Sequence, residues 1–182
     1  DKLLFVASLG FDLSVYDIFG ILASGACLRV VGAEDIKDPE KLLDIIMIER
    51  ITFWDSAPAA LQQLVPFLPE VESYAEPGRL RLVFLSGDWI PVSMPDALRE
   101  AFEGVRVISL GGATEATVWS NYYPIGEVDP SWPSIPYGKP IQNAKYYILD
   151  RNLEVCPLRV PGDLYIGGEC LAVEYINDTA LS

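Results

Sequence analysis

Three short loops hold most of the residues in this chain whose types and spacing could do chemistry. Ser8-Leu9-Gly10-Phe11-Asp12 ends in a carboxylate just ahead of a helical pattern. Such an acid can hold a cationic group of a ligand, and it can equally be an ordinary helix-start acid. Ser86-Gly87-Asp88-Trp89 offers a hydroxyl, a glycine and a carboxylate, although a strand ending in Ser-Gly-Asp is also a common turn. Gly111-Gly112-Ala113-Thr114-Glu115 is the most pointed of the three. Paired glycines let backbone approach a ligand closely, and Thr114 and Glu115 then add a hydroxyl and a carboxylate. A carboxylate beside bound phosphates calls for Mg²⁺ between them, because like charges repel. A glycine turn capped by Thr114 is the plainer alternative.

Each loop follows an apolar run, so the elements around it predict where it sits. The runs Leu3–Ala7, Cys27–Val31, Ile51–Trp54, Leu80–Leu85 and Val105–Leu110 are short, rich in Val, Leu, Ile and Phe, and lack polar alternation. That is the pattern of parallel strands covered on both faces. Amphipathic segments lie between them. Ser14 and Asp17 have capping-box spacing at the start of Val15–Ala23, and Ser93 and Asp96 repeat it before Ala97–Phe102. Asp38-Pro39 predicts a helix continuing through Lys41–Arg50, and Pro58 opens another to about Phe67. The expectation is an α/β fold: an open, mainly parallel sheet flanked by helices. Ligands of such sheets bind at the carboxyl ends of the strands, where all three loops fall.

After Tyr123 the character changes. Residues 124–140 hold five prolines in loop-like order, and then Ala144–Leu149 and Asp163–Tyr175 alternate as β runs. The expected organisation is an α/β substrate-binding subdomain over 1–123, then a loop and β-rich segment over 124–182 belonging to a second, incomplete subdomain.

Composition removes several functions. The 182 residues contain no histidine, which excludes a Ser-His-Asp or Cys-His centre and His-ligated zinc within this chain. Neither GxxxxGK[ST] nor GxGxxG occurs, so a nucleotide site must be of another type. The net charge of −13 gives no basic surface for nucleic acid, and no run of bases suits anionic lipid. Charges interrupt every apolar stretch before it is long enough to span a membrane. Cys27, Cys156 and Cys170 are odd in number, share no CxxC spacing and read as buried thiols in a reducing cytoplasm, not as a disulfide framework. The chain opens at Asp1 directly into an apolar run, which reads as a cut through a larger polypeptide.

The strings FDLSVYDIFGILASGACLRVV, LRLVFLSGDWIPVSMPDALR, VISLGGATEATVWSNYYPIGEVDPSWPSIPYGKPIQNAKYYILD and GDLYIGGECLAVEYIND resemble adenylation domains of nonribosomal peptide synthetases. These belong to the adenylate-forming superfamily. The resemblance runs over essentially the whole chain and implies the middle of the family's catalytic region. It implies that Asp12 holds the α-ammonium of an amino-acid substrate. It makes Leu13, Tyr16, Asp55, Phe84, Ser86, Leu110 and Val118, with Trp119 beside them, the side-chain pocket. Thr114 and Glu115 match the catalytic pair that contacts phosphate and Mg²⁺, and Glu115 is then the metal ligand. Gly87, Asp88, Gly111, Gly112, Ala113 and Thr114 match the ATP-binding positions.

There are departures. The family's aromatic residue against adenine is Gly111 here, and Cys170 and Glu174 replace late glycines. The form Gly-Gly-Ala-Thr-Glu-Ala resembles the subgroup that often activates cysteine, with Asp55 where Asn is usual. Leu13, Tyr16, Phe84, Leu110 and Val118 would make a small apolar cavity in which Ser86 offers one hydroxyl, a mix that suits a thiol. An acid at 55 is costly there unless paired or protonated, and could instead select a hydroxyl or a second amine. Cysteine is the expected substrate, with serine, threonine or another small residue left open.

The resemblance implies two steps in an intact domain. ATP and the amino acid give aminoacyl-AMP, and the acyl group then passes to the phosphopantetheine thiol of a carrier protein. The remaining adenylation subdomains are implied partners, as is an MbtH-like protein. The family's glycine-rich phosphate loop, ribose-binding Asp and catalytic Lys are not matched in these residues, so the 182 residues alone are expected to be inactive. Two other readings stay open: a non-catalytic amino-acid-binding or scaffold subdomain, and a piece of an acyl- or aryl-CoA ligase, in which Asp12 would have no ammonium to hold.

Overall fold

A computed structural model describes residues 1–178 and 180. The apolar runs form β1 (Lys2–Phe5), β2 (Cys27–Val30), β3 (Phe53–Ser56), β4 (Leu82–Leu85) and β5 (Arg106–Gly111). They pair in parallel in the spatial order β2-β1-β3-β4-β5. The sheet then continues through β6 (Asn121–Pro124) and β7 (Lys139–Pro140), both antiparallel, to seven strands. A separate antiparallel pair, β8 (Ala144–Leu149) and β9 (Asp163–Gly168), follows. The expected α/β class, with a mainly parallel sheet and a smaller β-rich segment, is the architecture observed.

Helices cover both faces of the sheet. One covering segment is α1 (Leu13–Val15), a π-helical turn over Tyr16–Gly20, and α2 (Ile21–Ala23). It packs Ile21 and Tyr16 on Leu3, Phe53, Leu82 and Phe84. On the opposite face, α3 (Pro39–Ile48), α4 (Pro58–Gln62), a 3-10 run over Val65–Ser73 and α5 (Met94–Ala101) enclose Leu4, Trp54, Val83, Leu85 and Val107. The alternation of strand residues assigns them to the two layers. Trp54 is wholly buried and its indole N–H donates to Ser56 Oγ at 2.7 Å.

Several local expectations need correction. The segment opened by Pro58 does not run as one helix to Phe67. It stops at Gln62, and Pro66 and Pro69 leave a 3-10 run instead, because proline lacks the amide that an α-helix needs. The last strand ends at Gly168, not near Tyr175. Gly168 has φ +110°, and a Cβ there would lie 2.1 Å from the Asn143 carbonyl oxygen. The chain then crosses back to residues 115–117, where the Ala172 amide donates to the Glu115 carbonyl at 2.7 Å. Asp38 does cap α3, accepting from the Lys41 amide at 3.1 Å. Neither expected capping box forms: Ser93 makes no side-chain cap bond, and Ser14 donates its hydroxyl back to the Phe11 carbonyl at 2.7 Å. Cys27 is exposed, not a buried thiol, and Cys156 and Cys170 are half-buried.

Candidate functional site

The three loops meet at the carboxyl ends of the parallel strands and bound two adjoining clefts. The first, about 420 Å³, is lined by Phe11, Asp12 and Leu13 from the first loop, Ser86 to Asp88 from the second, and Gly112, Thr114, Val118 and Trp119 from the third. The second, about 520 Å³, is lined by Gly87, Asp88 and Trp89, Leu110 to Gly112, and Tyr137. Gly87, Asp88 and Gly112 border both, so the clefts are continuous across these residues.

Asp12 sits at the start of α1, and its carboxylate makes no side-chain cap bond. An acid spent on capping would have bonded the first helical amides; this one is left for the cleft. Gly87 takes φ +87°, a conformation glycine adopts without strain. Asp88 accepts from the Trp89 amide at 2.7 Å.

The paired glycines have a structural cause beyond ligand approach. A Cβ at Gly111 would lie 2.4 Å from Tyr137 Cε2, so the Tyr137 ring fills the space over residue 111. A Cβ at Gly112 would come within 2.8 Å of the Ser120 amide and the Val118 carbonyl. The backbone of 118–120 therefore folds tightly onto Gly112 and brings Val118 and Trp119 to the cleft. Val118 has φ +66°, unusual for a β-branched residue and the kind of strain that collects at binding loops.

Behind Trp119 lies an aromatic wall. The Tyr16 and Trp119 rings are 4.6 Å apart, Phe84 and Trp119 5.6 Å, and Phe53 and Phe84 4.8 Å. Gly20 leaves room for the Tyr16 ring, which would lie 3.0 Å from a Cβ there. Tyr16 and Phe84 thus border the first cleft through Trp119, not directly. Asp55 pairs with Phe84 across the sheet and shares its face, and no part of it is exposed. Beside it is Asp17, equally buried. No donor among the described residues reaches any of the four oxygens of this pair. Burial, first of all, pushes the Asp17 carboxyl up to about 6 and that of Asp55 well above the usual range, and Asp17 adds repulsion at Asp55. Burial and the two acids also raise the Tyr16 hydroxyl.

Glu115 lies apart from both clefts. It lines a third depression with Leu171 to Ile176, to which Thr114 also contributes. Its carboxylate accepts from the Tyr175 hydroxyl, which holds it below the usual carboxylate range. Ala113 is exposed and borders neither of the first two clefts.

The sequence-predicted residues therefore fall into groups. Asp12, Leu13, Ser86, Val118 and Trp119 are brought together in one cleft, and Leu110 and Gly111 line the other. Tyr16 and Phe84 back the first cleft, Asp55 is sealed beneath the wall, and Glu115 faces the next depression. Sequence reasoning missed Tyr137 and Asp17. No signal marked Tyr137 inside a proline-rich loop. Asp17 was visible as one of a buried set spaced 14, 17 and 21, but the same spacing reads as a capping box.

Comparison with known proteins agrees with this geometry. Residues 1–176 match the AMP-binding enzyme family, and the chain belongs to it. Bacitracin synthase 1 of Bacillus licheniformis is 47% identical over 178 residues, which are 98% of this chain and 3% of that protein. Pyochelin synthetase PchE of Pseudomonas aeruginosa is 43% identical over 183 residues, 100% of this chain and 12% of that protein. The nonribosomal peptide synthetase FmoA3 (S1046A) in its AMPPNP-bound form superposes with a TM-score of 0.90 and 42% identity, over 100% of this chain and 20% of that one. Its alpha-methyl-L-serine-AMP-bound form gives 0.88 and 43%, over 99% and 20%. The chain thus corresponds to the adenylation-domain region of such synthetases and spans a small part of their length. Among the described residues, no helix is long and apolar enough to cross a membrane.

Proposed function

We propose that this region selects and positions the substrates of an amino-acid-activating ligase, the amino acid in the first cleft and ATP in the second. The observation that carries the reading is the continuity of the two clefts at Gly87, Asp88 and Gly112, which lets two bound molecules meet. The Asp12 carboxylate holds the α-ammonium, and the substrate side chain enters between Leu13, Val118 and Trp119, with Ser86 as the polar contact in the cleft. Tyr16, Phe84 and Asp55 lie behind that wall and are reached when the Trp119 ring turns aside, while Leu110 borders it from the second cleft. The nucleotide lies along Gly87, Asp88 and the bare backbone of Gly111 and Gly112, with the Tyr137 ring standing where residue 111 has no side chain. Thr114, at the edge of the first cleft, and Glu115, in the depression beside it, are assigned to the phosphate end of the nucleotide, which extends past the second cleft to meet them.

The substrate carboxylate oxygen then forms a bond to the α-phosphorus as the bond to pyrophosphate breaks. The contribution of these residues is alignment of the two reactants. Glu115, ionised and single, suits Mg²⁺, which takes one or two carboxylates together with phosphate oxygens. When bound, that ion neutralises phosphate charge. In the intact protein the acyl group passes to a carrier-protein thiol, and the 182 residues alone hold substrate without turning it over.

The side chain selected is small and carries a thiol or hydroxyl. Cysteine fits the soft apolar walls, as in the subgroup whose glycine-rich motif this chain shares. A hydroxyl fits the acid at 55, and a relative with alpha-methyl-L-serine-AMP bound supports that end of the range. The test is amino-acid-dependent ATP–pyrophosphate exchange by the full-length protein carrying this chain, with and without Asp12→Ala. Activity with cysteine or serine that Asp12→Ala abolishes is expected. Activity on an acid without an amino group, untouched by Asp12→Ala, would sink the reading in favour of an acyl or aryl ligase.

A further inference from the structure

Asp17 is not one of the cleft residues, yet it is the least explained side chain near them. It sits on the π-helical turn that also carries Tyr16, with neither it nor Asp55 exposed to solvent. π-turns are rare and concentrate at functional sites. Two ionised carboxylates in one dry space repel, and neither can donate to the other. A single proton resolves both problems, because one carboxyl then donates to its neighbour and the pair carries one charge. The charged and titratable groups around the pair are few. The π-turn supplies only Tyr16 besides Asp17 itself, whose hydroxyl feels both acids, and β3 supplies Asp55. No lysine or arginine is among the groups that perturb either acid. Close by, Ser86 Oγ and Trp119 Nε1 are also buried without partners, and both residues line the amino-acid cleft. A cluster of unsatisfied polar atoms beside a cleft is what a polar ligand group would complete.

We propose that Asp17 is a positioning residue for the substrate side chain: it shares one proton with Asp55, and the singly charged pair selects a hydroxyl over a thiol or a methyl group. The proposal rests on the reading of the first cleft as an amino-acid site. The shared proton joins two of the four oxygens and leaves the others as acceptors. A hydroxyl is a strong donor to a carboxylate, whereas a thiol is a weak one and a methyl group none. Without Asp17 the remaining acid would be free to turn and to ionise on its own, and it would lose its fixed orientation.

Two measurements test this on the full-length protein. Infrared spectra with ¹³C-labelled aspartate read protonated carboxyl groups directly, without any substrate. The unsubstituted protein should keep a protonated carboxyl at neutral pH, and in Asp17→Asn its titration should move down by about one pH unit or more, because the like charge is gone. Pyrophosphate exchange with L-serine, L-cysteine and L-2-aminobutyrate then reads selectivity across pH. Asp17→Asn should lower the serine preference over 2-aminobutyrate about tenfold through KM while kcat at saturating serine is kept. Absence of a protonated carboxyl in the unsubstituted protein, or an unmoved titration in Asp17→Asn, overturns the shared proton. A moved titration with unchanged selectivity overturns the positioning role. In that case Asp55→Asn separates the causes: altered selectivity leaves the cleft reading standing, and unaltered selectivity removes that reading as well.

Discussion

The buried acid pair makes stability run opposite to the usual pH trend for carboxylates. Asp17 has its carboxyl moved from 3.8 when unfolded to about 6 when folded. Between those values the folded chain binds more protons than the unfolded chain, so stability falls as pH rises through this window. The shift of about 2 units corresponds to about 3 kcal/mol. That is a large share of the 5–15 kcal/mol typical of a domain. The loss starts near the unfolded value, is complete just above about pH 6, and is constant beyond. Asp55 acts in the same direction. The assay is urea unfolding followed by tryptophan fluorescence from about pH 4 to about pH 7, on the chain with and without Asp17→Asn. Acids away from the pair contribute to both curves and cancel in the difference; Asp55, which Asp17 helps to raise, titrates lower in Asp17→Asn and shifts the difference in the same direction. Asp17→Asn should gain about 3 kcal/mol on the unsubstituted chain across the window. Parallel curves, or a relative gain by the unsubstituted chain, would refute a buried pair with raised values.

Two further substitutions probe the scaffold. Gly112→Ala places a Cβ within 2.8 Å of two backbone atoms of residues 118–120, which cannot rotate aside as a side chain would. It should cost about 1–3 kcal/mol and raise the KM for amino acid as Val118 and Trp119 move, read by thermal unfolding and exchange kinetics. Trp54→Ala removes the largest fully buried side chain of the sheet and the indole N–H that donates to Ser56 Oγ. It should lower stability by about 3–5 kcal/mol in denaturant titration, and a loss under about 1 kcal/mol would mean this layer is not the core it looks to be.

The parallel part of the fold was legible because each strand is buried on both faces. Runs such as Leu80–Leu85 and Val105–Leu110 carry no polar alternation, and only a doubly covered sheet tolerates that. The edge was not legible. β7 is two residues long, Lys139-Pro140, and Pro140 cannot donate to a ladder; nothing local marks it as a strand. Its pairing with Asn121 and Tyr122 is decided by the chain around it. The end of β9 was missed for a similar reason. Alternation continues past Gly168 in the sequence, but the turn there depends on Asn143, 25 residues earlier, whose carbonyl leaves no room for a side chain.

At the site, the chemistry-bearing residues were visible and their roles in packing were not. Gly111 and Gly112 were found as a loop that backbone could approach, yet the groups that approach are Tyr137 and the 118–120 backbone, both remote from the local pattern. Ser14 and Asp17 show the ambiguity most clearly. A separation of three places two residues at a helix start in capping register, and it also places them on one face of the helix. What decides between these is whether that face meets solvent or a sheet. Here it meets the sheet, so Asp17 is driven inward against Asp55, and a residue that looked like a cap becomes half of a buried acid pair. An acid is kept in such a place only if it can share a proton or meet a partner, so a residue that pattern alone dismisses as a cap is decided by its burial against Asp55.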